Sequence, residues 1–150
     1  MSLLPVLHQK QQRQSDCLVA CAAMVLGYLH IPVRYEKLIR LLETEQHGSV
    51  FSKLENLRAL YVNVQIQESS IDQIEEALAS GLPTIVAVNT RELKSYWRIG
   101  VAHAVIVIGI DDRFVYANDP AFAIAPQKIS RAEFELAWLE QDYLSCLIGL

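Results

Sequence analysis

Residues 17–29 read CLVACAAMVLGYL, and this stretch decides the fold. It predicts a helix from about Cys17 to Leu29 that is apolar nearly all round. A helix without a polar face is a buried helix, and its small residues let other elements approach closely. Ser15 or Asp16, directly before it, can cap its N-terminus. We therefore expect this helix to be the central element of the fold.

The rest of the chain places helices first and strands later. Two more helices are expected at about Tyr35–Leu42 and Phe51–Leu60, with Gly48-Ser49 as a turn between them. This order is typical of an α+β domain in which helices and an antiparallel sheet are segregated. The later elements are a strand at Tyr61–Gln67, a helix at Ile71–Ser80, a strand at Thr84–Val88, a loop or short helix at Thr90–Trp97, strands at His103–Ile110 and Arg113–Ala117, a helix at about Arg131–Leu139 and a last strand at Tyr143–Leu150.

Composition and charge limit the classes of function. A length of 150 residues fits one domain spanning 1–150. The 13 basic and 17 acidic residues give a net charge of −4, which does not build the positive field that nucleic acids require. No apolar run reaches the ~18–20 residues that span a bilayer, and the N-terminus lacks the features of a secretory signal. Three cysteines without an export signal indicate reduced thiols, so we expect a cytoplasmic protein.

Cys17 is a candidate nucleophile because it stands in the first turn of the buried helix. A thiol there meets the positive end of the helix dipole and free backbone N–H groups, and both favour the reactive thiolate. Gln11 lies six residues earlier in a segment that could fold back beside it. The Gln11 amide and the Cys17 N–H could then form an oxyanion hole.

His103 and Asp119 are the candidate base and the group that orients it. His103 opens an apolar strand, and Asp119 follows sixteen positions later, after a hairpin. Two strands joined by a short turn bring their outer ends side by side, so these side chains could meet within hydrogen-bond reach. Asn118, directly before it, is an alternative to Asp119 because an amide can also accept a hydrogen bond from the imidazole. The order and phase of the four residues match a known arrangement.

That arrangement is a family resemblance carried by two motifs. Residues 11–21, QQRQSDCLVAC, and residues 103–109, HAVIVIG, followed by Asn118-Asp119-Pro120, resemble the bacteriocin-processing, double-glycine peptidase family and its stand-alone C39-like relatives. The resemblance implies a papain-like fold with the cysteine helix packed on a sheet. It also implies that Cys17 is the nucleophile, that Gln11 serves the oxyanion hole, and that His103 and Asp119 complete the triad.

The function implied by this resemblance is hydrolysis of a peptide bond, with a peptide or leader segment as substrate. Neither a cofactor nor a metal is needed, and a domain excised from a larger protein could associate with a transporter. Two residues depart from the family pattern: Leu18 replaces a glycine after the nucleophile, and Ala104 replaces an aromatic residue after the histidine. Both changes touch the walls of the substrate cleft. Two alternatives remain open, an inactive peptide-binding module and an amidase or acyltransferase with the same triad.

Other residues whose side chains could act in catalysis or bind a metal have simpler interpretations. Cys21 and Cys146 are expected to be buried structural thiols. The Cys17 and Cys21 pair lacks the spacing of zinc ligands. Tyr96 and Trp97, shortly before His103, are expected to flank the cleft, either as walls of a substrate pocket or through core packing.

Overall fold

The apolar stretch at the start of the chain is a buried helix, as predicted. A computed structural model describes residues 2–150, and its first helix, α1, has eight fully buried side chains from Leu18 to Leu26. The elements in chain order are α1 Cys17–Tyr28, α2 Tyr35–Leu41, a 3₁₀ helix Phe51–Leu60, β1 Asn63–Glu68, α3 Ile71–Ala79, β2 Thr84–Asn89, a short 3₁₀ turn Thr90–Glu92, β3 Ala102–Ile110, β4 Phe114–Asn118, β5 Gln127–Ser130, α4 Arg131–Leu139 and β6 Leu144–Gly149.

The strands form one antiparallel sheet in the order β1-β6-β2-β3-β4-β5. Side chains at even positions of β3, such as Ile106, join the core built with α1 and α2. Odd positions, such as Val105 and Val107, join the core built with α3 and α4. The α+β class is confirmed, but helices cover both faces of the sheet, because its central strands are apolar on both sides.

Several boundaries differ from the prediction for local physical reasons. Residues 51–60 form a 3₁₀ helix because Phe51, Leu54, Leu57 and Leu60 recur every third position, which matches three residues per turn. Tyr61 ends that helix in a left-handed conformation with φ of 63°, so the following strand begins only at Asn63. The short strand β5 was not predicted at all.

Serine side chains cap the two later helices, α3 and α4. The Ser70 hydroxyl accepts a hydrogen bond from the Gln73 N–H, and the Ser130 hydroxyl accepts one from the Glu133 N–H. Gly81 follows α3 with φ of 79°, a conformation that glycine adopts without strain. Among residues 2–150, no helix is both long and apolar enough to cross a membrane.

The N-terminal segment, residues 2–14, runs past the ends of β3 and β4. The Leu4 N–H donates to the Ile108 carbonyl at 3.0 Å, and the Gln11 N–H donates to the Pro120 carbonyl at 2.8 Å. The side chain of His8 donates to the Phe122 carbonyl at 2.6 Å. The first residues of the chain are therefore tied to the turn that follows β4.

Candidate active site

Cys17 begins α1, and its thiol is partly exposed while those of Cys21 and Cys146 are buried. No side chain caps the first turn of this helix. Within residues 2–150, the backbone N–H of Cys17 also has no hydrogen-bond acceptor. A free N–H beside a partly exposed thiol is what an oxyanion hole requires.

Asp16 stands at the predicted N-cap position of α1, but the prediction that its side chain caps the helix is wrong. Its carboxylate turns away from the helix and is fully buried. It accepts hydrogen bonds from the backbone and guanidinium of Arg13 and from the Tyr35 hydroxyl. The charged guanidinium is a stronger donor than a helix N–H, so it takes the carboxylate. Asp16 thereby fixes the loop that leads into Cys17.

The pairing of β3 with β4 brings His103 and Asp119 together. Ile106 pairs with Asn118, so residue 119 falls opposite residue 105 and on the same face as His103. The His103 Nε2–H donates to Asp119 Oδ1 at 2.7 Å, and both side chains are buried. Strand alternation sends Asn118 to the opposite face, where its amide donates to the Val6 carbonyl. The structure therefore places Asp119, and not Asn118, behind the imidazole.

Two aromatic side chains that sequence reasoning did not assign to the triad also hold Asp119. The Tyr96 hydroxyl donates to Asp119 Oδ2 at 2.8 Å, and the Trp97 Nε1–H donates to the same oxygen at 2.9 Å. The Trp97 ring also packs edge-on against the His103 ring, with centroids 4.9 Å apart. A sequence signal exists, since both aromatics carry a polar atom and lie close to His103, but it does not reveal their partner.

The charges of the pair stabilise each other. Burial would lower the pKa of His103, but hydrogen bonding and charge from Asp119 and Cys17 outweigh it and raise the pKa to about 9. Burial would likewise raise the pKa of Asp119, but the hydrogen bond and charge of His103, with the Ala121 N–H and Trp97, keep that pKa below its usual value. At neutral pH the pair is therefore an imidazolium and a carboxylate.

Gln11 reaches the cleft, but its amide is already engaged. The Nε2 group donates to the carbonyls of Arg13 at 3.0 Å and Gln14 at 2.9 Å. The Oε1 atom is buried without a hydrogen-bond partner among residues 2–150. Gln11 thus shapes the loop before Cys17, and an N–H of this side chain reaches a substrate oxygen only if one of these two bonds is exchanged.

Cys17 and His103 lie between two cavities. The larger, about 580 Å³, has Gln11 on one wall and Trp97, Ile99 and Val101 among its other lining residues. The smaller, about 270 Å³, is largely apolar, and its lining residues include Phe51 and both departures from the family pattern, Leu18 and Ala104. Within residues 2–150, no group of three His, Cys, Asp or Glu side chains could hold a metal ion.

A sequence model described as "Peptidase_C39 like family" matches residues 3–146. No curated protein matches the chain at a significant level. A C39-like peptidase from Bacillus anthracis is similar in structure, with a TM-score of 0.80 and 19% identity over 99% of this chain and 96% of that one.

Two transporter-linked structures are also similar. One is a double glycine motif protease from an AMS/PCAT transporter in complex with the leader peptide, with a TM-score of 0.76, 21% identity and coverage of 99% of this chain and 94% of that one. The other is the peptidase domain of Streptococcus ComA, a bi-functional ABC transporter of a quorum-sensing pathway, with a TM-score of 0.77, 18% identity and coverage of 96% and 98%. At these identities the likeness shows the fold, which is the papain-like peptidase fold.

Proposed function

We propose that this chain, which belongs to the Peptidase_C39 like family, is an active cysteine peptidase with Cys17 as nucleophile, His103 as base and Asp119 as the residue that orients the base. The observation that carries the proposal is the buried 2.7 Å bond between His103 Nε2 and Asp119 Oδ1. It leaves the other ring nitrogen, Nδ1, for the Cys17 thiol, which lines the same cleft as the imidazole.

The reaction follows from this arrangement. With the thiol proton held on His103 Nδ1, which the raised pKa of the imidazole favours, the Cys17 thiolate attacks the scissile carbonyl carbon. The C–N bond breaks as the imidazolium gives its proton to the leaving amine, which leaves a thioester on Cys17. The imidazole then takes a proton from water, the resulting hydroxide attacks the thioester, and Cys17 leaves as the thiolate.

The negatively charged oxygen of the tetrahedral intermediate needs hydrogen-bond donors, which together form an oxyanion hole. The free N–H of Cys17 supplies the first. Gln11 supplies the second donor. One N–H of its amide must then leave the carbonyl of Arg13 or Gln14 and donate to the charged oxygen instead. Each donor aimed at this oxygen lowers the activation free energy by about 3–4 kcal/mol.

For the substrate, we propose a peptide or leader segment cut after small residues. The small volume of the second cavity, about 270 Å³, supports a restricted site, and Leu18 takes up space in its wall where the family has a glycine. The similar transporter-linked protease binds a leader peptide. Three free thiols support a reducing compartment such as the cytoplasm, and residues 1–150 are proposed to act as one domain, in association with a transporter if joined to one.

Alkylation of the cysteines tests whether Cys17 is activated. With limiting iodoacetamide at pH 6, we expect Cys17 to react at least about 100-fold faster than the other two, because only a thiolate reacts. Burial raises the pKa of Cys21 well above its usual value and that of Cys146 to about 12. Peptide mapping by mass spectrometry measures the three rates. Similar rates under native conditions would contradict the proposal, and the same measurement in denaturant, where all three thiols are equivalent, is the control.

The pH dependence of turnover tests the role of His103. Its pKa is raised to about 9, so the imidazolium that protonates the leaving amine persists through neutral pH and is lost as the pH rises through 9. We expect kcat/KM to fall on the alkaline side with a midpoint near 9. The profile can be measured on the peptides that the enzyme cleaves in a proteome-derived peptide library. A midpoint near 6.5, the value of an ordinary histidine, would contradict this assignment.

A further inference from the structure

We infer that Tyr96 and Trp97 are positioning residues that make a carboxylate obligatory at position 119 and so fix the proton of His103 on Nε2. The inference rests on the proposed function, and it extends the site to two side chains that do not touch the reacting atoms. It follows from how the two oxygens of Asp119 are used.

Each oxygen of Asp119 accepts from two donors. Oδ1 accepts from His103 Nε2–H at 2.7 Å and from the Ala121 N–H at 3.0 Å. Oδ2 accepts from the Tyr96 hydroxyl at 2.8 Å and from Trp97 Nε1–H at 2.9 Å. Asp119 itself is fully buried. All four partners thus donate into a site that water does not reach.

An amide cannot replace this carboxylate, although papain-like enzymes with asparagine in this position exist. If the amide oxygen of an asparagine faces His103 and Ala121, its NH₂ group faces the indole N–H of Trp97, which has no acceptor. If the amide is turned round, its NH₂ group faces His103, and the imidazole must carry its proton on Nδ1. That tautomer cannot take the Cys17 proton on the nitrogen that faces the thiol.

Trp97 is the stricter member of the pair. A tyrosine hydroxyl can rotate and accept a hydrogen bond, whereas an indole N–H only donates. Burial and the nearby Asp119 raise the pKa of Tyr96, so its hydroxyl keeps its proton and remains a donor to the carboxylate.

The pair is itself held in place by α4. Glu133 accepts from the Ser95 N–H at 3.0 Å and from the Ser95 hydroxyl at 2.9 Å, directly before the two aromatics in the chain. The Tyr96 and Trp97 rings also pack edge-on against Phe122, with centroids 5.1 and 5.2 Å away. Contacts on both sides therefore fix the direction of the two donors.

A double-mutant cycle tests the inference. The proteins are the unaltered chain, Asp119→Asn, Trp97→Phe and the double variant, and the readout is the rate of Cys17 alkylation by iodoacetamide at pH 6. Asp119→Asn should slow alkylation about 10- to 100-fold, because the thiolate loses its imidazolium partner. In the Trp97→Phe background the same change should cost less than about 3-fold, because removing the indole N–H lets the amide oxygen face His103.

Nitrogen-15 NMR of His103 gives a second readout that needs neither substrate nor a reactive thiol. At pH 10, where the imidazole of the unaltered chain is mostly neutral, protonation on Nε2 is expected in the unaltered chain and in the double variant, and a shift toward Nδ1 in Asp119→Asn alone. The tautomer can be read even if the chain cleaves no peptide, so failure of the proposed function and failure of this inference are distinguishable. Equal effects of Asp119→Asn in both backgrounds, with unchanged tautomers, overturn the inference.

Two further variants keep the result interpretable if Trp97→Phe is poorly folded. Tyr96→Phe should slow Cys17 alkylation by a smaller factor, about 2- to 5-fold, because one neutral donor to Oδ2 remains. Tyr116→Phe is the matched control, since the Tyr116 hydroxyl donates to Asp111 at 2.7 Å, outside the cleft. It should leave alkylation unchanged. Identical behaviour of the two tyrosine variants would also overturn the inference.

Discussion

Replacement of Cys17 by alanine should abolish peptide hydrolysis, with a loss of at least about 10⁴-fold in kcat. In the proposed reaction the Cys17 sulfur forms the thioester, and the other two thiols, Cys21 and Cys146, are buried. Fold and thermal stability should stay close to those of the unaltered chain, because Cys17 is only partly buried at a helix end. Cleavage can be followed in a proteome-derived peptide library by mass spectrometry of new termini.

Cys21→Ala is the matched control for this experiment. Cys21 lies one turn further along α1 and is fully buried, so the change should cost about 1 kcal/mol of stability and leave turnover intact. If Cys17→Ala cleaves at the rate of the unaltered chain, the peptidase assignment is wrong. If the unaltered chain binds peptides but cuts none, the peptide-binding module is the better description, and amide products formed with an added amine would point to acyl transfer.

Replacement of Asp119 by alanine should destabilise the whole fold as well as the site. It leaves the His103 imidazolium, the Tyr96 hydroxyl and the Trp97 indole N–H buried without an acceptor. Breaking a buried charged pair by removing one partner costs about 3–5 kcal/mol. Guanidinium denaturation of both proteins measures the difference in the free energy of unfolding, and the alkylation of Cys17 at pH 6 should fall at the same time.

The size of this destabilisation should depend on pH in a defined direction. The pKa of His103 is raised from 6.5 to about 9, so its pairing with Asp119 stabilises the fold fully below pH 6.5 and is lost as the pH rises through 9. The difference between the two proteins should therefore be larger at pH 5.5 than at pH 10. Equal differences at both values would show that the charge on His103 is not what Asp119 stabilises.

Asp111→Ala is the control for that pH dependence. Asp111 also accepts a tyrosine hydroxyl and two backbone N–H groups, but at an exposed turn. Its loss should cost no more than about 2 kcal/mol, by analogy with other side chains that cap backbone N–H groups. No imidazole is paired with it, so the cost should be equal at pH 5.5 and 10.

The parts of the fold that the sequence predicts are those set by local patterns. The continuous apolar run from Leu18 identifies α1, because no other arrangement hides so many apolar side chains. The hairpin between β3 and β4 was also predictable, and strand alternation then brings His103 and Asp119 to one face. The choice between Asp119 and Asn118 depends on the register of β3 and β4, which the sequence does not give. A shift of one residue would have placed Asn118 on the face of His103 instead.

The parts that the sequence does not predict depend on contacts between distant segments. Tyr96 and Trp97 donate to Asp119, which lies 23 and 22 residues later in the chain. No local sequence pattern indicates these hydrogen bonds. The role of Gln11 as an oxyanion-hole donor stays a prediction, but the sequence did not indicate that its amide donates to the Arg13 and Gln14 carbonyls of its own loop. Asp16 was expected to cap α1, and a guanidinium three residues before it took the carboxylate instead.

The ties of the N-terminal segment to the turn after β4 have a consequence for synthesis of the chain. Gln11 and Cys17 leave the ribosome before Pro120 and Asp119, which lie more than one hundred residues later in the chain. The Gln11 N–H contacts Pro120, and Asp119 holds the imidazole that shares the cleft with Cys17. Contacts of such long range form late in folding. If the chain is the proposed peptidase, a nascent or partly unfolded molecule therefore carries an unactivated Cys17 thiol, and it can cleave peptides only after translation has passed residue 119 and the segment around Cys17 has packed against β3 and β4.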